Sequence, residues 1–143
     1  MIVVDTTVLV HATGADHDYR EPCRSLISLV AEGGLDATTT VEVIQEFAHV
    51  RARRRGRADA TSLATDYADL FSPLMVVTTD DLRRGLSMFQ RADRLGAFDA
   101  VLAAAAAARG AVALVSADRA FAEAPGLAHV IPDAAGITSL GQL

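Results

Sequence analysis

The chain has no lysine; all thirteen of its basic residues are arginine. That absence excludes Schiff-base chemistry and a lysine-dependent phosphate loop. It also sets aside the phospho-acceptor receiver domains, an α/β class of similar outline whose pattern includes a lysine. Cys23 is the single cysteine, so no internal disulfide can form, which fits a reducing compartment. Aromatic residues make up 5% of the chain and show no RNP-like stacking pattern. No apolar run approaches the roughly 18 residues that cross a bilayer. The opening MIVVDTTVLV lacks a basic flank and carries Asp5 inside it, unlike a secretory signal. The expected location is cytoplasmic, with secretion by an unrecognised route left open.

What remains is ordinary globular material. Hydrophobic residues are 51% and charged residues 22% of 143 positions, enough for one core and too little for two. The expectation is a single domain over residues 1–143. Net charge is −5, so the chain is a poor general binder of nucleic acid. The positive charge is local instead: Arg51, Arg53, Arg54, Arg55 and Arg57 fall within seven residues.

Five short apolar runs predict strands: Ile2 to Val4, Asp36 to Thr39, Leu74 to Thr78, Ala111 to Ser116 and His129 to Ile131. The first, third and fourth are continuous rather than alternating, as in strands covered on both faces. Helical spacing is predicted over Arg20 to Ala31, Val41 to Arg55, Ala58 to Phe71, Asp81 to Leu95 and Ala97 to Arg109. Alternating strands and helices mean an α/β fold with a parallel sheet. The run Ala103 to Ala108 sits in a helix whose bare surface permits close approach to the sheet.

The acids carry the chemistry. Asp5 and Asp118 each leave the carboxyl end of a buried strand, the edge where open parallel sheets bind ligands. Each could equally be a helix cap. Thr39-Thr40-Val41-Glu42 matches a capping box and gives Glu42 a structural task. Glu46 borders the apolar side of the same helix, where an acid must be paired, neutralised or bound to metal. Asp99 opens the alanine helix, where the helix dipole also favours an acid. Carboxylates converging without a cation repel, which raises the pKa of at least one. Oxygen-only ligands select Mg²⁺ or Mn²⁺ over zinc.

These residues resemble a known family. Asp5-Thr6-Thr7-Val8-Leu9, Val43-Ile44-Gln45-Glu46-Phe47, Phe98-Asp99-Ala100, and Leu114-Val115-Ser116-Ala117-Asp118-Arg119-Ala120-Phe121 resemble, in order and spacing, the four motifs of PIN-domain ribonucleases. The branch they resemble most is the virulence-associated protein C (VapC) toxins of bacterial toxin–antitoxin pairs. The resemblance implies a three-layer α/β sandwich with a five-stranded parallel sheet in order 3-2-1-4-5. It implies a catalytic set of Asp5, Glu46, Asp99 and Asp118, with Asp5, Asp99 and Asp118 holding Mg²⁺ or Mn²⁺ and Thr6 and Ser116 in support. Ser116 stands where many members have threonine, which keeps a hydroxyl. The implied activity is endoribonuclease, and the implied partners are RNA, a cognate antitoxin and a second copy of the chain. Arg51, Arg53, Arg54, Arg55 and Arg57 are candidates for holding RNA phosphates, or form a solvated helix end. The contrasting reading is a catalytically idle module of the same fold that binds RNA or protein.

Overall fold

The computed structural model describes residues 1–141. Its centre is β1 (Ile2–Val4), whose three residues are all buried. Successive strand residues point to opposite faces, so both faces of the sheet are covered. β1 pairs in parallel with β2 (Ala37–Thr38) on one side and β3 (Ala113–Val115) on the other. β4 (Ala128–Val130) adds beyond β3, giving the order β2-β1-β3-β4. The pairing Val4↔Val115 brings the ends of β1 and β3 side by side.

The predicted third strand, Leu74 to Thr78, is a correction. Among the described residues the sheet has four strands, and this segment contributes only an isolated parallel bridge, Thr40↔Met75. Its backbone groups are engaged elsewhere. The carbonyl of Val76 accepts from the Arg109 guanidinium, and the Thr78 amide donates to Asp81 Oδ2 at 2.8 Å. Val76 itself is 71% exposed, which a covered strand would not allow. The other four strands stand in the expected order.

Among the described residues, seven helices and one 3-10 turn surround the sheet: α1 (Thr6–Thr13), α2 (Arg20–Ala31), α3 (Val41–Arg55), α4 (Arg57–Leu70), α5 (Thr79–Arg91), α6 (Ala97–Ala108), the turn Arg119–Glu123, and α7 (Ala134–Leu140). α2 and α3 match the predicted bounds. α5 stops at Arg91 rather than Leu95 because Arg94 is drawn to Glu123, its amide at 3.1 Å and its Nε at 2.6 Å. α7 had no clear periodic signal; Asp133 starts it by accepting from the Gly136 amide at 2.7 Å.

α6 is the helix that the alanine run predicts. Ala100 and Ala103–Ala106 are buried, with Leu102 beside them. Small residues also let α5 close on α6. A Cβ added at Gly85 would lie 2.6 Å from the Cα of Val101, inside contact distance of backbone. Gly85→Ala should therefore cost about 1–3 kcal/mol by overpacking, despite alanine's better helix propensity. A lower urea midpoint with an unchanged slope would show it; an unshifted midpoint would mean that the helices separate freely. The pair is also clasped by charge. Arg109, past the end of α6, donates to Asp81 Oδ2 at 2.9 Å in the first turn of α5. Arg109 and the Thr78 donors hold the buried Asp81 carboxyl down at about 2, against the opposing cost of its burial.

Candidate active site

Asp5 is the first residue after β1. Its backbone stays extended, its amide donates to Val115 of β3 at 3.0 Å, and its side chain caps α1. Oδ2 accepts three bonds: from the Thr7 amide at 3.2 Å, Thr7 Oγ1 at 2.8 Å and Ser116 Oγ at 2.7 Å. Asp5 is 4% exposed, so its buried polar atoms need those donors. Among the described residues, Oδ1 has no protein donor.

Ser116 ends β3 and connects the two acids. It donates to Asp5 and accepts from the Asp118 amide at 3.0 Å. Asp118 caps the 3-10 turn through Oδ1, which accepts from the Ala120 amide at 2.8 Å. Both strand-end acids are thus caps and members of one cluster; the two roles do not exclude each other. Thr7 was not singled out in the sequence, yet it joins the first and last motifs. Its hydroxyl donates to Asp5 and accepts from the Ala117 amide at 2.9 Å. Only the pairing of β1 with β3 makes that visible.

Glu46 reaches the same edge from α3. Oε2 accepts from Thr6 Oγ1 at 2.6 Å, which ties α3 to the start of α1. The sequence placed Glu46 against the apolar side, but it is exposed and lies on the open rim. Asp118 is exposed as well, whereas Asp99 is half-buried in the first turn of α6. Burial pushes the Asp99 carboxyl up to about 7, and the charges of Asp5, Asp118 and Glu46 push it the same way. The charges of three acids therefore reach Asp99, and among the described residues no base offsets them there.

The capping box at Glu42 is a correction. Thr40, not Thr39, caps α3, accepting from the Val43 amide at 3.3 Å. Thr39 instead donates to the Val4 carbonyl at 2.7 Å, which locks β2 to β1. The helix starts one residue later than the motif implies, and Glu42 is exposed in its first turn. The full capping box belongs to Thr78 and Asp81 of α5. Thr40→Ala should cost about 1 kcal/mol, and Glu42→Gln no more than a few tenths. Paired thermal melts would check this; equal losses would restore Glu42 to the cap.

The arginines separate into two groups. Arg51 is engaged in structure: it holds both oxygens of Asp59 on α4 and donates to the Thr13 carbonyl at 2.9 Å. It is therefore not available for RNA. Arg53, Arg54, Arg55 and Arg57 are exposed.

The donor set fits a hard divalent cation: it is all oxygen, it carries excess negative charge, and Asp5 keeps an oxygen without a protein donor. Among the described residues, no three His, Cys, Asp or Glu side chains are grouped closely enough to hold a metal ion. The fit rests on donor chemistry and charge.

A parallel sheet of this order, with acids from β1, α3, α6 and the end of β3 gathered at its carboxyl edge, defines a PIN-type nuclease fold. The model of the PIN domain matches residues 2–127, and the chain belongs to that family. Comparison with individual proteins narrows the branch to VapC. The chain is 54% identical over 144 residues to Ribonuclease VapC7 of Mycobacterium tuberculosis, covering 98% of this chain and 97% of that one. It is 28% identical over 130 residues to Ribonuclease VapC13 of the same species, covering 89% and 97%. Among solved structures it resembles Mycobacterium tuberculosis VapC20, described as a sarcin-ricin loop cleaving toxin, with a TM-score of 0.70. Identity there is 19%, over 89% of this chain and 98% of that one, so the likeness is one of fold. VapBC2 of Rickettsia felis, solved on a DNA fragment from its promoter, matches with a TM-score of 0.70 and 16% identity, covering 92% and 98%.

Proposed function

We propose that this single-domain chain is a divalent-metal-dependent endoribonuclease and the toxin of a toxin–antitoxin pair. The observation that carries the reading is Asp99, a half-buried acid on which the charges of Asp5, Asp118 and Glu46 add to the effect of burial. A fold does not sustain that repulsion for packing. The 54% identity to a protein named as a ribonuclease supports the same conclusion.

Asp5, Asp99 and Asp118 would hold Mg²⁺ or Mn²⁺. When bound, such an ion supplies Lewis acidity that makes water more acidic and offsets charge on the phosphate. The rest falls to the chain. Ser116 and Thr7 fix the Asp5 carboxylate by its Oδ2. Thr6 fixes Glu46 by its Oε2, leaving the other oxygen to orient the attacking water and take its proton. Water adds to phosphorus, the bond to the leaving oxygen breaks, and that oxygen takes up a proton. The test is sequencing of cleavage sites in total RNA with added Mg²⁺, with Mn²⁺ and with chelator. Defined sites that need the metal support the reading, and intact RNA under every condition overturns it in favour of a binding module.

Exposed Arg53, Arg54 and Arg55 would offset the repulsion between an acidic site and RNA. Replacing all three with glutamine should flatten the dependence of binding on salt, by about 0.7 log units per decade for each phosphate no longer neutralised. An unchanged slope in a filter-binding series would leave them as a solvated helix end. The proposed partners are a cognate antitoxin and a second copy of the chain. Leu86 and Phe89 stay 46% and 45% exposed on α5. With Leu82 they form an apolar stripe one turn apart, suited to such contacts.

A further inference from the structure

The proposed site at Asp5, Asp99 and Asp118 would engage a phosphate and gives no task to a group of rings at the other end of α1. His11 lies at the end of α1, and His17 and Tyr19 on the loop leading into α2. The His11 and His17 rings are 4.4 Å apart between centroids. Tyr19 meets both edge-on, at 5.5 Å and 5.0 Å. The Tyr19 amide donates to His17 Nδ1 at 3.1 Å, which holds that ring in place. His17 is exposed, and His11 and Tyr19 are half-buried. Burial, His17 and Arg54 together keep the His11 imidazole below its usual range. Arg54 lines a groove with Val10, Thr13 and Gly14, the residues that flank His11 on α1, and among the described residues it has no carboxylate partner.

Two side-by-side helices connect these rings to the acids. Thr6 bonds Glu46 near the start of α1, and Arg51 bonds the Thr13 carbonyl at its end, so α1 and α3 run parallel. Thr7, which holds Asp5, and His11 are four residues apart, hence neighbours on one helix face at about 5–6 Å. On α3, Glu46, Val50 and Arg54 repeat at the same interval. Val10, Gly14, Val50 and Arg54 line the groove between the two helices. It lies at the end of α1 that carries His11, and Arg54 lines it.

We infer that His11, His17 and Tyr19, with Arg54, form a stacking subsite for an unpaired RNA base next to the phosphate held by the acid cluster. The inference rests on the ribonuclease reading. Every base has a π-face, so the subsite selects single-stranded over paired RNA rather than a particular sequence. Arg54 meets a backbone phosphate, and the rings meet the base.

The composition provides a direct probe. The chain has no tryptophan and two tyrosines, of which Tyr67 is buried. Tyrosine emission that responds to RNA therefore reports on Tyr19. The experiment titrates the full Asp5→Asn chain, in magnesium, with an eight-nucleotide oligoadenylate and with an abasic strand of equal length. The expected results are a fall in emission with oligoadenylate only, and loss of that signal in Tyr19→Phe with affinity retained. His11→Ala with His17→Ala should weaken oligoadenylate binding about tenfold and leave the abasic strand unchanged. If the double variant melts early, His17→Ala alone, an exposed loop change, carries the same comparison. Unaltered affinity, an equal loss for both strands, or no binding at all overturns the subsite. The ribonuclease reading fails separately: wild type that leaves RNA whole while the rings still take up a base would remove the hydrolase and keep the subsite.

Discussion

Asp5→Asn protein is expected to fold as the wild type does and to cut RNA more slowly by on the order of a thousandfold. Asparagine keeps the shape and the oxygen that α1 needs, since it caps helices as well as aspartate does. That oxygen must face Thr7 and Ser116, which donate three bonds to Oδ2. The amide nitrogen then replaces the oxygen that has no protein donor, putting a donor where a cation needs an acceptor. Charge and one ligand are removed together, while the backbone of β1 and α1 keeps its bonds. Asp118→Asn should behave alike, because its cap uses Oδ1 and leaves the other oxygen to the cluster. Cleavage of a labelled RNA under single-turnover conditions, beside circular dichroism of the same samples, makes the measurement. Cutting at wild-type speed by folded Asp5→Asn protein would remove Asp5 from the site.

The same geometry explains which features could be read from the sequence. Asp5 and Asp118 stood out because a carboxylate leaving a buried strand is both a cap and an edge ligand. Local pattern cannot choose between those roles, and the structure uses both. α6 was legible because an alanine run has one plausible use in a packed fold. What could not be read depends on residues far apart in the chain. Leu74 to Thr78 has the composition of a strand, but Arg109 and Asp81 take its backbone groups. Arg51 looks like its neighbours until α4 brings Asp59 against it. The cap of α3 was misplaced by one residue because Thr39 and Thr40 are chemically equivalent, and only the bond from Thr39 to Val4 separates them. The rings of His11, His17 and Tyr19 follow no helical or strand period; a loop assembles them.

In chelator at pH 8, Asp99→Asn protein should melt above wild type, by about 10 °C, and the advantage should vanish near pH 4. The cause is the Asp99 carboxyl, whose value is about 7 in the fold against 3.8 when unperturbed. The folded chain thus binds this proton more tightly than the unfolded chain. Below pH 3.8 the group is protonated in both states and costs nothing. Between 3.8 and 7 the unfolded chain releases the proton first, so this group makes the fold less stable as pH rises. Above 7 the penalty is complete, on the order of 2–4 kcal/mol at about 1.4 kcal/mol per unit. Asp81, held down at about 2, works in the opposite sense: its contribution is lost as pH falls through the acid range below 3.8. The lowered His11 also makes the fold more stable as pH rises toward 6.5 and adds nothing further above it, but it is common to both proteins and cancels in their difference. Mg²⁺ or Mn²⁺ should reverse the order by stabilising wild type through mass action, about 2.7 kcal/mol at a hundredfold excess over Kd. Asp99→Asn, short of one ligand and with less repulsion to relieve, should gain little. Melts of both proteins from pH 4 to 8, with chelator and with metal, separate these effects. If wild type in chelator melts as high as Asp99→Asn at pH 8 and ignores millimolar metal, the four acids do not share one field, and the case for a nuclease centre built on their repulsion fails.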